Sequence, residues 1–300
     1  MQNFLNTLSN SEITTLLYSL EQVWNGGECC PKKCHGAGGN PPCHRVDNGI
    51  KVASFAVHDG EEPPVSGWNG AGNVFFSGCN LGCVFCQNWP ISHNNTGNIY
   101  QHEEFIQKLR DLLQKGVHNL NFVTPDHYVF PLVKTLVAMK DEITVPIVWN
   151  CSGYFEQTAL AAVRKIADIF LLDVKYADST LAKQCSNVVN YPGIIRQVLQ
   201  DFVKNRLSWI ENDMGILQKG LIIRHLVLPG NVQNSLDVMD MLENYRKEGL
   251  EFKLSLMNQY FPAFKALEID ELSRKVSDDE YGQVVKRAEK YGFDGWIQSE

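Results

Sequence analysis

The sequence predicts an α/β fold, a mostly parallel β-sheet covered by helices, carried behind an N-terminal helix and a cysteine-rich extension. Three observations lead there. Short apolar runs recur from Gly72 onward, most separations between them can hold a helix, and polar residues gather where the runs end. Parallel strands need crossover connections and are buried on both faces, so this rhythm belongs to a parallel sheet, open or curved into a partial barrel.

In chain order, SEITTLLYSLEQVW at 11–24 sets Ile13, Leu16, Leu17, Leu20 and Val23 at helical spacing behind Ser11 as a cap. From Gly26 to Gly72 the texture turns to Gly, Pro, Cys and His, interrupted by the strand-like KVASFAV and the turn-rich HDGEEPPVSGWNGAG. A segment this long and irregular calls for a function or a bound metal. Then come the runs NVFFSG, LNFVTP, VPIVWN, IFLLDVK, LIIRHLVLPG and FKLSLMN, with helical patterning at 102–115, 130–140, 156–166, 195–209, 235–247 and 278–291. This rhythm gives six strand-and-helix units, with an extension over 1–70 and the repeating body over 71–300. Thr124, Asn150, Asp173, Arg224 and Asn258 fall at strand ends, where βα folds place ligands.

The net charge of −7 and the lack of a Lys/Arg block leave no strong footprint for nucleic acid or an anionic membrane. The start MQNFLNTLSN has no cationic segment before an apolar core, and no uncharged apolar run reaches membrane-spanning length, so a cytoplasmic protein is expected. In that setting, closely spaced cysteines point to metal or redox chemistry rather than disulfides. Seven of the nine cysteines lie in the first third of the chain.

GCNLGCVFCQNW sets Cys79, Cys83 and Cys86 in a C-x3-C-x2-C array directly after the first strand of the repeating body. One loop can present three thiolates to a four-iron four-sulfur (4Fe-4S) cluster and leave one iron open to chelate the amino and carboxylate groups of a methionyl moiety. A closed zinc site is the alternative, with His93 as its fourth ligand. Cys29, Cys30, Cys34 and Cys43, with His35 and His44, have spacing compatible with zinc or an auxiliary iron-sulfur cluster, against reduced cysteines in a packed loop. Glu61 and Glu62, beside Pro63 and Pro64, read as a solvated turn.

The C-x3-C-x2-C array, Phe85 before its last cysteine and the βα rhythm resemble the radical S-adenosylmethionine (SAM) superfamily. HDGEEPPVSG, NVFFSGCNLGCVFCQNWPIS, VTPDHY and RHLVLPGN resemble its branch related to the pyruvate formate-lyase activating enzyme, including uncharacterised activating-enzyme-like iron-sulfur proteins. The resemblance runs from about Cys30 to Lys265. It implies a partial (βα)6 TIM-like barrel and an oxidoreductase in which the cluster reduces SAM. The products are methionine and a 5′-deoxyadenosyl radical that abstracts a substrate hydrogen.

Residue by residue, the resemblance puts Phe85 near adenine. Where members carry Gly-Gly-Glu to hold the methionyl amine, this chain has Thr124, Pro125 and Asp126. Asn150, Cys151, Ser152 and Gly153 match an Asp-Thr-Asn-Gly turn, giving Asn150 and Ser152 to ribose or carboxylate. Asp173 and Lys175 match an Asp-x-Lys strand end. Arg224 lies beside SAM, and Asn258 and Gln259, which close the next strand, contact adenine or ribose. Cys30, Cys34 and Cys43 match a Cys-Pro-x-x-Cys segment with a later cysteine, although Gly27 replaces the expected upstream cysteine. A one-electron donor such as flavodoxin or ferredoxin is implied, while the substrate, whether a glycyl radical enzyme, another protein, a peptide or a small molecule, is not. The competing class is a non-catalytic zinc or iron-sulfur binding interaction protein.

Overall fold

The computed structural model describes residues 3–34 and 43–298. Helix α1 (Asn10–Asn25) is capped by Ser9, not Ser11: Ser9 and Glu12 form a reciprocal capping box just ahead of the start that the apolar spacing suggests. It buries Ile13, Leu16, Leu20 and Trp24. Ahead of it, buried Asp168 accepts from the Phe4 and Ile147 amides at 2.8 and 3.0 Å, which ties the chain start to the sheet. Burial pushes the Asp168 carboxyl up to about 6.

The remaining elements, in order, are β1 (Ile50–His58), α2 (Pro63–Ser66), β2 (Ala71–Phe76), α3 (Trp89–Ser92), β3 (Asn98–Tyr100), α4 (His102–Leu113) and β4 (Leu120–Val123). Next come α5 (Val129–Ala138), β5 (Ile147–Cys151), α6 (Gln157–Val163), β6 (Ile169–Asp173), α7 (Ser179–Ser186), α8 (Tyr191–Lys204) and β7 (Ile210–Glu211). The chain ends with β8 (Leu217–Leu226), α9 (Val232–Lys247), β9 (Lys253–Met257), α10 (Asp278–Tyr291) and β10 (Gly295–Ile297). All six expected strand-and-helix units are present. Strand order is β10-β9-β8-β6-β5-β4-β2-β1-β3, with β7 paired to β8.

From β2 to β10 neighbouring strands are parallel, and the sequential order of the six predicted strands is kept. The KVASFAV strand β1, read as part of the extension, is the antiparallel neighbour of β2. The eighth helix begins at Tyr191 rather than 195 because Pro192 is suited to a first helical turn. The short α7, capped by Asp178, had no apolar period long enough to announce it.

Alternation along the strands divides the core. Ile147, Trp149, Phe170, Leu172, Leu221 and Ile223 join the large cluster that includes residues of the helices. Their neighbours Val148, Ile169, Leu171 and Ile222 face the other way, around Val65 of α2. Asn150, Asp173 and Arg224 lie one alternation further along that second face. It is therefore apolar at the strand starts and polar at the strand ends.

Candidate active site

A cavity of about 600 Å³ opens on the polar end of the second face. Its wall brings together Cys79, Cys83, Cys86, Phe85, Thr124, Asn150, Ser152, Asp173, Lys175 and Arg224. Asn258 is not on that wall: its amide donates to Gln298 Oε1 at 3.0 Å, and its neighbours Met257 and Gln259 face the cavity instead.

The cysteine loop leaves β2 through Gly78, at φ +85°, where a Cβ would run into the Cys43 carbonyl. Each thiol has a hydrogen-bond partner. Leu81 N–H donates to Cys79 Sγ at 3.4 Å, Ser186 Oγ to Cys83 Sγ at 3.0 Å, and Ser92 Oγ lies 3.1 Å from Cys86 Sγ. Burial, then the nearby Cys83 thiol, pushes Cys79 up to about 12 and raises Cys86 in the same way. Burial thus keeps Cys79 and Cys86 as thiols that give up their protons only to a bound cation, and an all-sulfur donor set suits iron-sulfur chemistry. His93, the fourth ligand a zinc site would use, is engaged elsewhere. Its Nε2 lies 3.0 Å from the Cys83 carbonyl and its ring packs against Phe264, centroids 4.3 Å apart. Among the described residues, no three His, Cys, Asp or Glu side chains gather round a single metal-ion position.

The strap before β2 overturns the reading of Glu61 and Glu62 as a solvated turn. It folds inward because Val65 belongs to the second apolar cluster, and this carries both carboxylates under the cavity, their side chains only 8% and 6% exposed. Arg224 Nε and one terminal nitrogen clasp Glu62 at 2.8 and 2.5 Å, and that nitrogen also reaches Glu61 at 2.5 Å. Arg224 thus binds carboxylate as a guanidinium should, but the carboxylates belong to this chain. Asn73 and Asn121 amides donate to Glu61 Oε1 at 2.7 and 3.0 Å. Burial opposes ionisation of Glu62, yet the Arg224 guanidinium holds its carboxyl below the usual range. No local pattern signals this contact, which spans 162 residues.

Above this floor, Lys175 Nζ meets Asp173 at 2.6 Å, and that carboxylate keeps the ammonium charged despite its burial. Tyr191 O–H lies within reach of the Ser152 and Asp173 carbonyls at 2.8 and 2.9 Å, fixing two strand ends together. Ser152 Oγ donates to Asn80 Oδ1 at 3.3 Å, linking the β5 turn to the cysteine loop. Thr124 sits at φ +58°, a left-handed conformation unusual for a β-branched residue. Behind it, Asp126 accepts from Trp149 Nε1 at 2.8 Å, and burial pushes its carboxyl up to about 7. Phe85 is buried 6.2 Å from Tyr260, centroid to centroid.

The N-terminal cysteines stand outside the cavity. Cys29 Sγ accepts from Arg45 at 3.1 Å, and that guanidinium stacks 4.1 Å over Trp24. Burial pushes Cys30 up to about 12, with Cys43 and Cys34 adding to the rise. Lys32 Nζ donates to the Leu81 carbonyl at 2.9 Å, so this segment buttresses the cysteine loop. His35 lies outside the described residues. Among the described residues, no helix is long and apolar enough to cross a membrane.

Residues 73–208 match the family described as the Radical SAM superfamily. An uncharacterised Methanocaldococcus jannaschii protein is 29% identical over 234 residues, covering 74% of this chain and 62% of its own length. A Haemophilus influenzae protein described as a putative glycyl-radical enzyme activating enzyme is 26% identical over 73% of this chain and 83% of its own. In fold, the chain is similar to Streptococcus suis SuiB in its crystal structure bound to S-adenosylmethionine. That match has a TM-score of 0.51 at 14% identity, over 74% of this chain and 48% of that one. A cysteine loop at a strand end on an open cavity thus lies within a segment that matches the Radical SAM superfamily, in a chain similar in sequence to a putative glycyl-radical enzyme activating enzyme and in fold to SuiB.

Proposed function

We propose that Cys79, Cys83 and Cys86 hold a four-iron four-sulfur cluster and that the adjoining cavity takes SAM, on a sheet curved into a partial (βα)6 barrel. The observation that carries this reading is the C-x3-C-x2-C loop on the same cavity wall as the polar strand ends. When bound, the cluster and SAM supply a 5′-deoxyadenosyl radical that abstracts a hydrogen atom from substrate.

The chain's own residues bind, orient and exclude water. Phe85 offers an apolar face for adenine. Asn150 and Ser152 offer hydrogen bonds to ribose or carboxylate. The carbonyls of the turn at Thr124 suit the methionyl amine, and the Lys175 ammonium, held by Asp173, suits the methionyl carboxylate. Arg224, committed to Glu61 and Glu62, fixes the cavity floor. Asn258, off the wall, has no part in this assignment.

The description of the Haemophilus relative favours activation of a glycyl radical enzyme, with the hydrogen taken from a backbone glycine and a flavodoxin or ferredoxin supplying the electron. Anaerobic reconstitution with iron and sulfide, reduction and incubation with SAM tests the reading. The expected products are 5′-deoxyadenosine and methionine. Equimolar zinc with neither product refutes it. A deuterium-labelled partner that passes its label to deoxyadenosine then identifies the substrate.

A further inference from the structure

The C-terminal end of α7 docks on the cysteine loop although neither the array nor any strand end points to it. Val84 N–H donates to the Cys185 carbonyl at 2.8 Å, and the next residue, Ser186, turns its hydroxyl to Cys83 Sγ at 3.0 Å. Tyr176 O–H stands 2.7 Å from Ser186 Oγ. Because Ser186 gives its one hydroxyl proton to sulfur, Tyr176 is the donor to Ser186. Both residues are fully buried, at 0% exposure. Asp178 caps the start of α7 and Asn187 closes it in the left-handed conformation, so the hydroxyl is delivered from a short helix fixed at both ends.

Resting on the cluster assignment above, we propose that Tyr176 and Ser186 form a buried hydroxyl relay that sets the reduction potential of the cluster through Cys83. They are positioning residues, since neither is a ligand. A hydrogen bond to a ligating sulfur stabilises the electron-rich state more than the oxidised one, and so raises the potential. Burial strengthens such a bond, and the Tyr176 donor polarises the Ser186 hydroxyl further. The relay makes the cluster easier to reduce with a one-electron donor, and it does so on one thiolate of the three.

The test uses full-length reconstituted protein, titrated with dithionite and followed by the electron paramagnetic resonance signal of the reduced cluster. Iron and sulfide content and thermal midpoint are measured alongside. Ser186→Ala is expected to keep its cluster and titrate at a more negative midpoint than wild type. Tyr176→Phe moves in the same direction by less, and Ser186→Thr, which keeps the hydroxyl, titrates with wild type. A fully loaded Ser186→Ala with a wild-type midpoint overturns the relay, as does Ser186→Thr shifting as far as Ala. If Ser186→Ala fails to load, Tyr176→Phe decides: an unchanged midpoint overturns the relay and a negative shift supports it. Wild-type protein that takes up no four-iron cluster refutes the proposed function itself, a result separate from any shift among loaded variants.

Discussion

The two cysteine-rich segments are similar in composition and opposite in setting. Cys79, Cys83 and Cys86 lie on the wall of a cavity shared with Asn150, Lys175 and Arg224. Cys29, Cys30 and Cys43 are buried away from it, and Cys29 is already engaged by Arg45. Spacing alone does not separate them, since both pack cysteines closely. Position does: the first follows a parallel strand, where a sheet opens to ligands, whereas the second packs on the back of the first through Lys32.

The largest effect expected from this contrast is on turnover. Cys83→Ala should reduce deoxyadenosine formation to background, while Cys30→Ala should retain it. Equal losses in a SAM-cleavage assay would erase the distinction.

Next is the floor of the open wall. Arg224→Met leaves two buried carboxylates without their cation and should cost about 3–5 kcal/mol in denaturant unfolding. A loss below about 1 kcal/mol would mean water reaches the floor as it reaches a surface ion pair.

Behind the same wall, Asp126 keeps its proton up to about pH 7 because it is buried, against an ordinary value of 3.8. The unfolded chain loses that proton near pH 4 and the folded chain near pH 7, so the folded state binds more protons in between. Asp126 therefore makes stability fall as pH rises across that window, by on the order of 4 kcal/mol. Asp126→Asn should remove that slope from unfolding free energies measured between pH 4.5 and 8. An unchanged slope would place the titration elsewhere.

The smallest effect belongs to the buttress. Cys29→Ala should cost on the order of 1 kcal/mol and leave the iron content unchanged. A drop in iron would make the N-terminal segment a partner in cluster binding.

Local signals accounted for much of this molecule. Apolar runs bounded by helical periods marked six of the seven strands that pair in parallel, because each is buried over its own few residues; the three-residue β10 was not marked. The cysteine loop stood out in the sequence because its three cysteines lie close together along the chain. Glu61 and Glu62 were misread because two carboxylates before two prolines make a good exposed turn. Only packing of Val65 and the distant Arg224 draws them inside. Ser186 and Tyr176 gave no signal, since a serine ending an eight-residue helix has no pattern until the chain folds. Asn258 and Gln259 show the reverse limit: a strand-end position does not fix which of two neighbours faces the cavity, and here it is Gln259.

The most direct measurement compares the paramagnetic resonance spectrum of the reduced protein with and without SAM, in wild type and in a Cys30→Ala/Cys34→Ala/Cys43→Ala variant. The account predicts that SAM alters the cluster signal in both, because the open iron belongs to the Cys79, Cys83 and Cys86 loop. A reduced four-iron signal that SAM leaves unchanged, or one that disappears with the N-terminal cysteines while Cys79, Cys83 and Cys86 are intact, would contradict it.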